Sequence, residues 1–415
     1  MNQVFLSMKN SFNDNLSNRH RSGKIWRTIF IASTFLAIFI LSVLLIDIID
    51  NTAGYVALKA DVSPDSLAQG GVALEDLPKE TLVGILQANL SQGAFNKLEN
   101  EKSFQQRSHS NVYDLVVERV VKYDVADSWS LFDSLLKSAE IKAEAVSDYP
   151  DAELRFVSWL TPGFISQPQS SHAVDAGIRT AILGSLWTIF ITILAAFPLG
   201  VGAAIYLEEY SVDNWFNRLI RTNINNLAGV PSIIYGILGL AIFVRALESF
   251  TSGAVFGLVD PTTANGRTIL SAGLTLALLV LPLIIINSQE AIRAVPQSLR
   301  RASLGIGATK WQTIWAHVLP NALPGILTGT ILAVSRAIGE TAPLVVVGAA
   351  TAINFDPSSP FSKFTVLPMQ IYQWTSRPQG EWHHLAAAAI VVLLIMLLSL
   401  NAFAIVLRNR STKRF

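Results

Sequence analysis

Six near-continuous apolar stretches divide the chain, over residues 28–49, 182–206, 227–244, 269–287, 321–347 and 385–407. A hydrocarbon core of roughly 30 Å takes about 20 apolar residues as a helix, and each stretch is of that order. Barrel strands would alternate apolar and polar residues at every second position, which these runs do not do. The pattern predicts an all-α polytopic membrane protein with six spanning helices. Pro231 and Pro282, in or at the edges of the third and fourth runs, read as tolerated kinks. The sequence LGVGAA, Leu199 to Ala204, offers small residues against which another helix can pack closely.

Two polar interruptions stand out. Residues 50–175 are too many for a simple connection and are expected to form an insertion domain. Within it, 78–90 and 130–145 read as helices, and 113–125, rich in Val and Tyr, as a strand. The other interruption is 290–320, EAIRAVPQSLRRASLGIGATKWQTIWAHVLP. Pro296 suits a first helical turn, 297–303 continues it, and Gly305 and Gly307 bracket a bend. A second short helix is expected from Ala308, with Trp311, Ile314, Trp315 and Val318 gathered on one side by their i, i+3, i+4, i+7 spacing. Residues 211–226 read as an amphipathic helix in the interface, with Trp215, Leu219 and Ile220 opposite Arg218 and Arg221.

Composition agrees with a membrane protein: of 415 residues 51% are hydrophobic and only 15% charged. A net charge of +1 says little about partners, among which no nucleic acid is expected, and the lack of cysteine removes disulfides and thiolate metal sites. The distribution of charge says more. Basic residues fall before the first run (Lys9, Arg19, Arg21, Lys24, Arg27), between the second and third (Arg218, Arg221), between the fourth and fifth (Arg293, Arg300, Arg301, Lys310) and after the last (Arg408, Arg410, Lys413, Arg414). The positive-inside rule then puts both termini and 290–320 in the cytoplasm, and 50–175 outside. The first run is too long for a signal peptide and no small-x-small cleavage site follows it, so it is expected to remain as an anchor. Residues 50–175 carry 19 acidic and 10 basic side chains, a surface that would repel a free anion. The expected organisation is a cytoplasmic segment 1–27, a first helix 28–49, an outer domain 50–175, a membrane domain 176–407 containing the 290–320 loop, and a basic tail 408–415.

The fifth run carries the candidate chemistry. Gly325, Gly329, Ala333, Ala337 and Thr341 recur every four residues and make a stripe for close helix packing. Beside the stripe stand Arg336 and Glu340, one helical turn apart. A charge at the bilayer centre costs on the order of 2.5–3.5 kcal/mol, so such residues face a bundle interior or a watery path. A mutually neutralising pair that only aids packing is one account. Arg before Glu is the weaker order for a helical pair, which favours a functional cation held in place by Glu340.

The spacing of Ala302-Ser303, Gly307 and Leu319-Pro320 resembles the "EAA" loop of ABC-importer permeases, which runs Glu-Ala-Ala, three residues, glycine, nine residues, Ile-x-Leu-Pro and docks into the ATPase subunit. Arg301 stands where that consensus has Glu, and His317 where it has Ile. RAIGETAP, Arg336 to Pro343, together with LPNALPGILTG, Leu319 to Gly329, is similar to the PstA-type permeases of phosphate ABC importers over roughly the last 240 residues. The resemblance implies a six-helix type I ABC-permease fold, to which 50–175 is an addition. It implies four kinds of partner: a PstC-type permease, a PstB-type ATPase dimer, a periplasmic phosphate-binding protein and inorganic phosphate in a lipid bilayer. It assigns Arg336 and Glu340 to the substrate path, and Arg301, Ala302, Gly307, Trp311, Trp315, Leu319 and Pro320 to ATPase coupling.

No phosphate-binding loop of the Gly-x-x-x-x-Gly-Lys-Ser/Thr type occurs, so the chain is expected to be non-catalytic, without a cofactor, with ATP bound by the partner. His383-His384 lacks a third ligand at metal spacing and reads as an interfacial anchor. Arg179, Arg245 and Arg267 lie near outer helix ends, where two accounts stand: help in gathering phosphate, or the ordinary place of arginines at an interface. Two other functions fit: a permease for molybdate or sulfate, and a membrane sensor with an outer domain.

Overall fold

A computed structural model describes residues 2–68, 72–101, 103–170, 172–258, 266–349, 353 and 356–412. Lys413 and Arg414 of the basic tail lie outside the described residues, as does the side chain of Lys9. Helix α1, Asn2–Asp50, contains the first apolar run and is followed at once by strand β1, Ala53–Ala60. The insertion continues with α2, Lys79–Asn89; α3, His109–Val116; β2, Tyr123–Ser128; α4, Leu131–Leu136; α5, Ser138–Asp148; and β3, Glu153–Ser158. The strands form one antiparallel sheet in the order β2-β1-β3, with a bulge between Ala57 and Leu58.

The strand expected over 113–125 is mostly helix. Val112, Leu115, Val116 and Val120 are buried at helical spacing, and Ser108 caps α3 by accepting from the Asn111 amide. The helical period of the apolar positions outweighs the strand preference of their residue types, and only after Lys122, at φ +46°, does the chain extend. The helix expected over 130–145 is two helices, because the chain departs from helical geometry at Lys137.

The membrane part comprises α6, Arg179–Tyr210; α7, Trp215–Ala228; α8, Ser232–Ala246; α9, Ile269–Arg293; α10, Gln297–Gly305; α11, Lys310–Gly339; α12, Ala342–Val347; α13, Leu367–Thr375; and α14, Gly380–Thr412. Among the described residues five helices are long and apolar enough to span, and six if the bent pair α7 and α8 counts as one span. The 227–244 run is therefore not one helix. It breaks at Gly229 to Pro231, where the axes turn through 106°, because proline has no amide to donate and biases its predecessor away from helix. Pro282, by contrast, is carried inside α9.

Helix α9 is the hub, packed against α6, α8 and α11. In the Leu199 to Ala204 stretch Ala204 is fully buried, and a Cβ on Gly200 would collide with the Ile284 side chain at 2.6 Å. The sheet sits on the far ends of α13 and α14, where Val56, Leu58 and Trp159 share a core with Trp374, Trp382 and Leu385. A second small core, around Leu82, Leu86, Val112 and Val121, lies within the insertion. His384 bonds the Asn51 carbonyl through Nδ1 at 2.9 Å and stacks on Trp159, while His383 bonds the Arg377 carbonyl. Both histidines serve as ties to backbone, and no group of three metal-ligating residues occurs among the described residues.

Candidate translocation and coupling site

Arg336 stands in the last turn of α11, and Glu340 is the residue that ends it. The 321–347 run is thus two helices, α11 and α12, with Glu340 at ψ 117° where the chain leaves helical geometry. Pro343 just beyond has no amide to bond back to Gly339, which removes one hydrogen bond from any continuation of α11. Arg336 Nε donates to Glu340 Oε1 at 3.3 Å, and the two side chains are 50% and 19% exposed. A cation in the last turn is favourable against the helix dipole and a carboxylate there is not, so the pair offsets what Glu340 alone would cost. The bond to Glu340 uses only Nε. The two outer nitrogens of the guanidinium make no further hydrogen bond among the described residues, leaving a planar fork of the kind that matches oxyanions.

The small-residue stripe positions that turn. Ala333 and Ala337 are each 2% exposed, in a core with Val280 and Ile284 of α9. A Cβ on Gly325 would meet Ala291 at 2.8 Å, and one on Gly329 would collide with Asn287. Thr341 lies beyond the helix and does not extend the stripe. Gly329→Val should therefore push α11 from α9 and lower the melting temperature in detergent by several degrees. Gly305→Ala, where nothing lies within 4 Å of the new Cβ, should leave it unchanged.

The 290–320 segment is one short helix, a tight turn and the beginning of α11. Pro296 precedes α10 and Gly307 turns the chain at φ +89°, in the left-handed region that favours glycine. Thr309 caps α11 with a reciprocal bond to Gln312, and the buried hydroxyls of Ser303 and Thr313, 2.9 Å apart, pin α10 to α11. The second helix expected from Ala308 begins at Lys310 but does not stand apart: it runs on through a wide turn at Ile314–Val318 as the start of α11. Nor do its four large apolar residues share a side. Ile314 and Val318 are each 1% exposed, whereas Trp311 and Trp315 stack on each other at 5.5 Å and stay exposed. Positions i and i+3 lie about 60° apart on a helix, enough here to divide core from surface. Arg301, Ala302 and Gly307 are exposed, and Leu319 and Pro320 are half-buried.

One cluster has no counterpart among the expectations from sequence. Glu208 accepts from Arg293 at 2.7 Å, Arg221 at 3.3 Å and Gln289 at 3.2 Å. Glu209 pairs with Arg300 at 2.8 Å, both side chains nearly buried, and Arg300 also donates to the carbonyls of Ile292 and Val295. Lys310 lies over the Tyr210 ring at 5.2 Å. The end of α6 is so tied to α7, α9, α10 and α11 around a cavity of about 390 Å³ that Arg301 also lines. Two adjacent carboxylates facing a surplus of arginines were the available signal. At the other ends of these helices Arg179 is paired with Asp356 at 2.9 Å, while Arg245 and Arg267 are exposed.

Residues 196–415 match the model of the family described as binding-protein-dependent transport system inner membrane component. The chain belongs to that family. It is 34% identical over 261 residues to a probable ABC transporter permease protein, YqgI, of Bacillus subtilis strain 168, a match covering 61% of this chain and 83% of the relative. It is 34% identical over 239 residues to the phosphate transport system permease protein PstA of Mycobacterium leprae strain TN, covering 57% and 72%. Among solved structures, an inward-facing MetNI methionine ABC transporter matches at 17% identity and a TM-score of 0.41, over 57% of this chain and 95% of that one. This permease is a multi-pass membrane subunit of an ABC transporter, a class that works with a second permease, an ATPase and a binding protein.

Proposed function

We propose that this permease is a subunit of an ATP-driven phosphate importer, non-catalytic itself, with Arg336 and Glu340 lining the path of the anion. The observation that carries the reading is the half-exposed Arg336, bound to Glu340 through Nε alone. Arginine keeps its charge and offers two parallel donors to phosphate oxygens, while Glu340 weakens the net attraction enough for release. The likeness to phosphate permeases supports the substrate class. In this reading a PstC-type permease supplies the other wall, a PstB-type ATPase dimer engages the exposed face around Arg301, Trp311 and Trp315, and a periplasmic binding protein delivers phosphate. ATP binding there shifts the bundle between outward and inward openings. The basic residues put both termini and the 290–320 segment in the cytoplasm, with the sheet-bearing insertion outside.

The test is uptake of labelled phosphate by vesicles carrying the whole transporter, with molybdate and sulfate as competitors. Phosphate uptake that resists both competitors is expected. Uptake suppressed by either one, or a chain that purifies without any ATPase, would overturn the assignment.

A further inference from the structure

Helix α4 sits at the level where α1 leaves the membrane. The apolar run of α1 is unbroken from Thr28 to Ile46, 19 residues or about 28 Å of helix, so Asp47 and Asp50 fall where hydrocarbon gives way to headgroups. Asp50 Oδ1 accepts the Phe132 amide at 2.6 Å, which holds the first turn of α4 at the end of α1. A second tie fixes the rotation of α4: the buried Ser134 hydroxyl accepts the Tyr55 amide at 2.8 Å. The preceding residues, Trp129 and Ser130, press so closely on β1 that a Cβ on Gly54 would meet the Ser130 backbone at 3.0 Å. With Ser134 inward, Phe132, Leu135 and Leu136 point outward, 47%, 65% and 82% exposed, and belong to no core cluster. Half of a six-residue helix is thus large apolar surface turned away from the protein.

We propose that this edge of α4 is a membrane lip: Phe132, Leu135 and Leu136 rest in the headgroup and upper acyl layer of the leaflet from which α1 emerges. Continuity with the spanning helix carries the choice of occupant, because a face bonded to Asp50 meets lipid at that depth. Lys137, next in the chain and exposed, pairs with Asp133 at 2.8 Å, which neutralises the carboxylate beside the apolar edge. The lip gives the insertion a second foothold beside its seat on α13 and α14, and so limits rocking of the sheet about the end of α1.

The chain has no cysteine, so single cysteines can be spin-labelled in the full chain without other substitutions. Leu135→Cys and Leu136→Cys, in lipid nanodiscs, are compared with Glu80→Cys on α2. Nitroxides at 135 and 136 should be several-fold more accessible to oxygen than to a water-soluble nickel chelate, relative to the label at 80. Accessibility like that at 80 would place the face in water and overturn the lip. Protection from both reagents would show a protein surface seated there, and would overturn it equally.

Discussion

Replacing Arg336 by glutamine is expected to lower phosphate uptake about tenfold to a hundredfold for each hydrogen bond to the anion that the guanidinium no longer supplies, with the transporter still assembled. A hydrogen bond to a charged group is worth about 1.5–3 kcal/mol, and each 1.4 kcal/mol is a factor of ten. Assembly should survive because the ion pair with Glu340 is half exposed and of the kind that contributes at most about 1 kcal/mol to stability. Arg336→Lys keeps the charge but not the fork, and should retain part of the uptake. Glu340→Gln removes the counter-charge, so the anion should bind at lower concentration and turn over more slowly. Labelled uptake in proteoliposomes, with ATPase co-purification as the control for assembly, reads all three. Uptake unchanged in Arg336→Gln would return the pair to a packing role.

The legible parts of this permease are those whose physics is local. A spanning helix must be apolar along its length, so the runs in α1, α6, α9 and α14 declare themselves whatever surrounds them. The 227–244 run misleads because apolar content continues across Pro231 while the backbone does not. The run containing Arg336 misleads in the same way at Gly339, so the pair reads as mid-helix when it stands at a helix end. In 113–125, β-branched composition conceals a helical period. Which charges would pair was not legible in spacing: Glu208 meets Arg221 13 residues away, and Glu209 meets Arg300 91 residues away, and neither separation leaves a periodic trace. Even the aromatic stripe at 311–318 shows spacing without showing which line of residues the core will take.

Those long-range pairs set the second large expectation. Arg300→Met should lower thermal stability sharply and abolish capture of the ATPase, whereas Arg293→Met should do little. The arginines differ in burial. Arg300 and Glu209 are 11% and 10% exposed, so removing the guanidinium leaves a carboxylate without its counter-charge in a nearly dry setting, at a cost of about 3–5 kcal/mol. Arg293 is 63% exposed, and Glu208 keeps Arg221 and Gln289 when it goes, so the destabilisation should stay below about 1 kcal/mol. Glu209→Gln should fall between, because Arg300 retains the Ile292 and Val295 carbonyls. For the same reason exchanging the two residues should recover only part of the stability, since a glutamate at 300 cannot donate to those carbonyls. The consequence for transport is mechanical. Arg300 belongs to α10, next to the exposed Arg301, and holds α10 to the end of α6. A push on α10 from an ATPase would reach α6 through this ion pair, and reach Arg336 through the Ser303 to Thr313 bond and α11. Melting curves in detergent together with ATPase capture decide it. An Arg300→Met chain that melts normally and still captures the ATPase would show that the buried pair neither stabilises the segment nor connects it to α6.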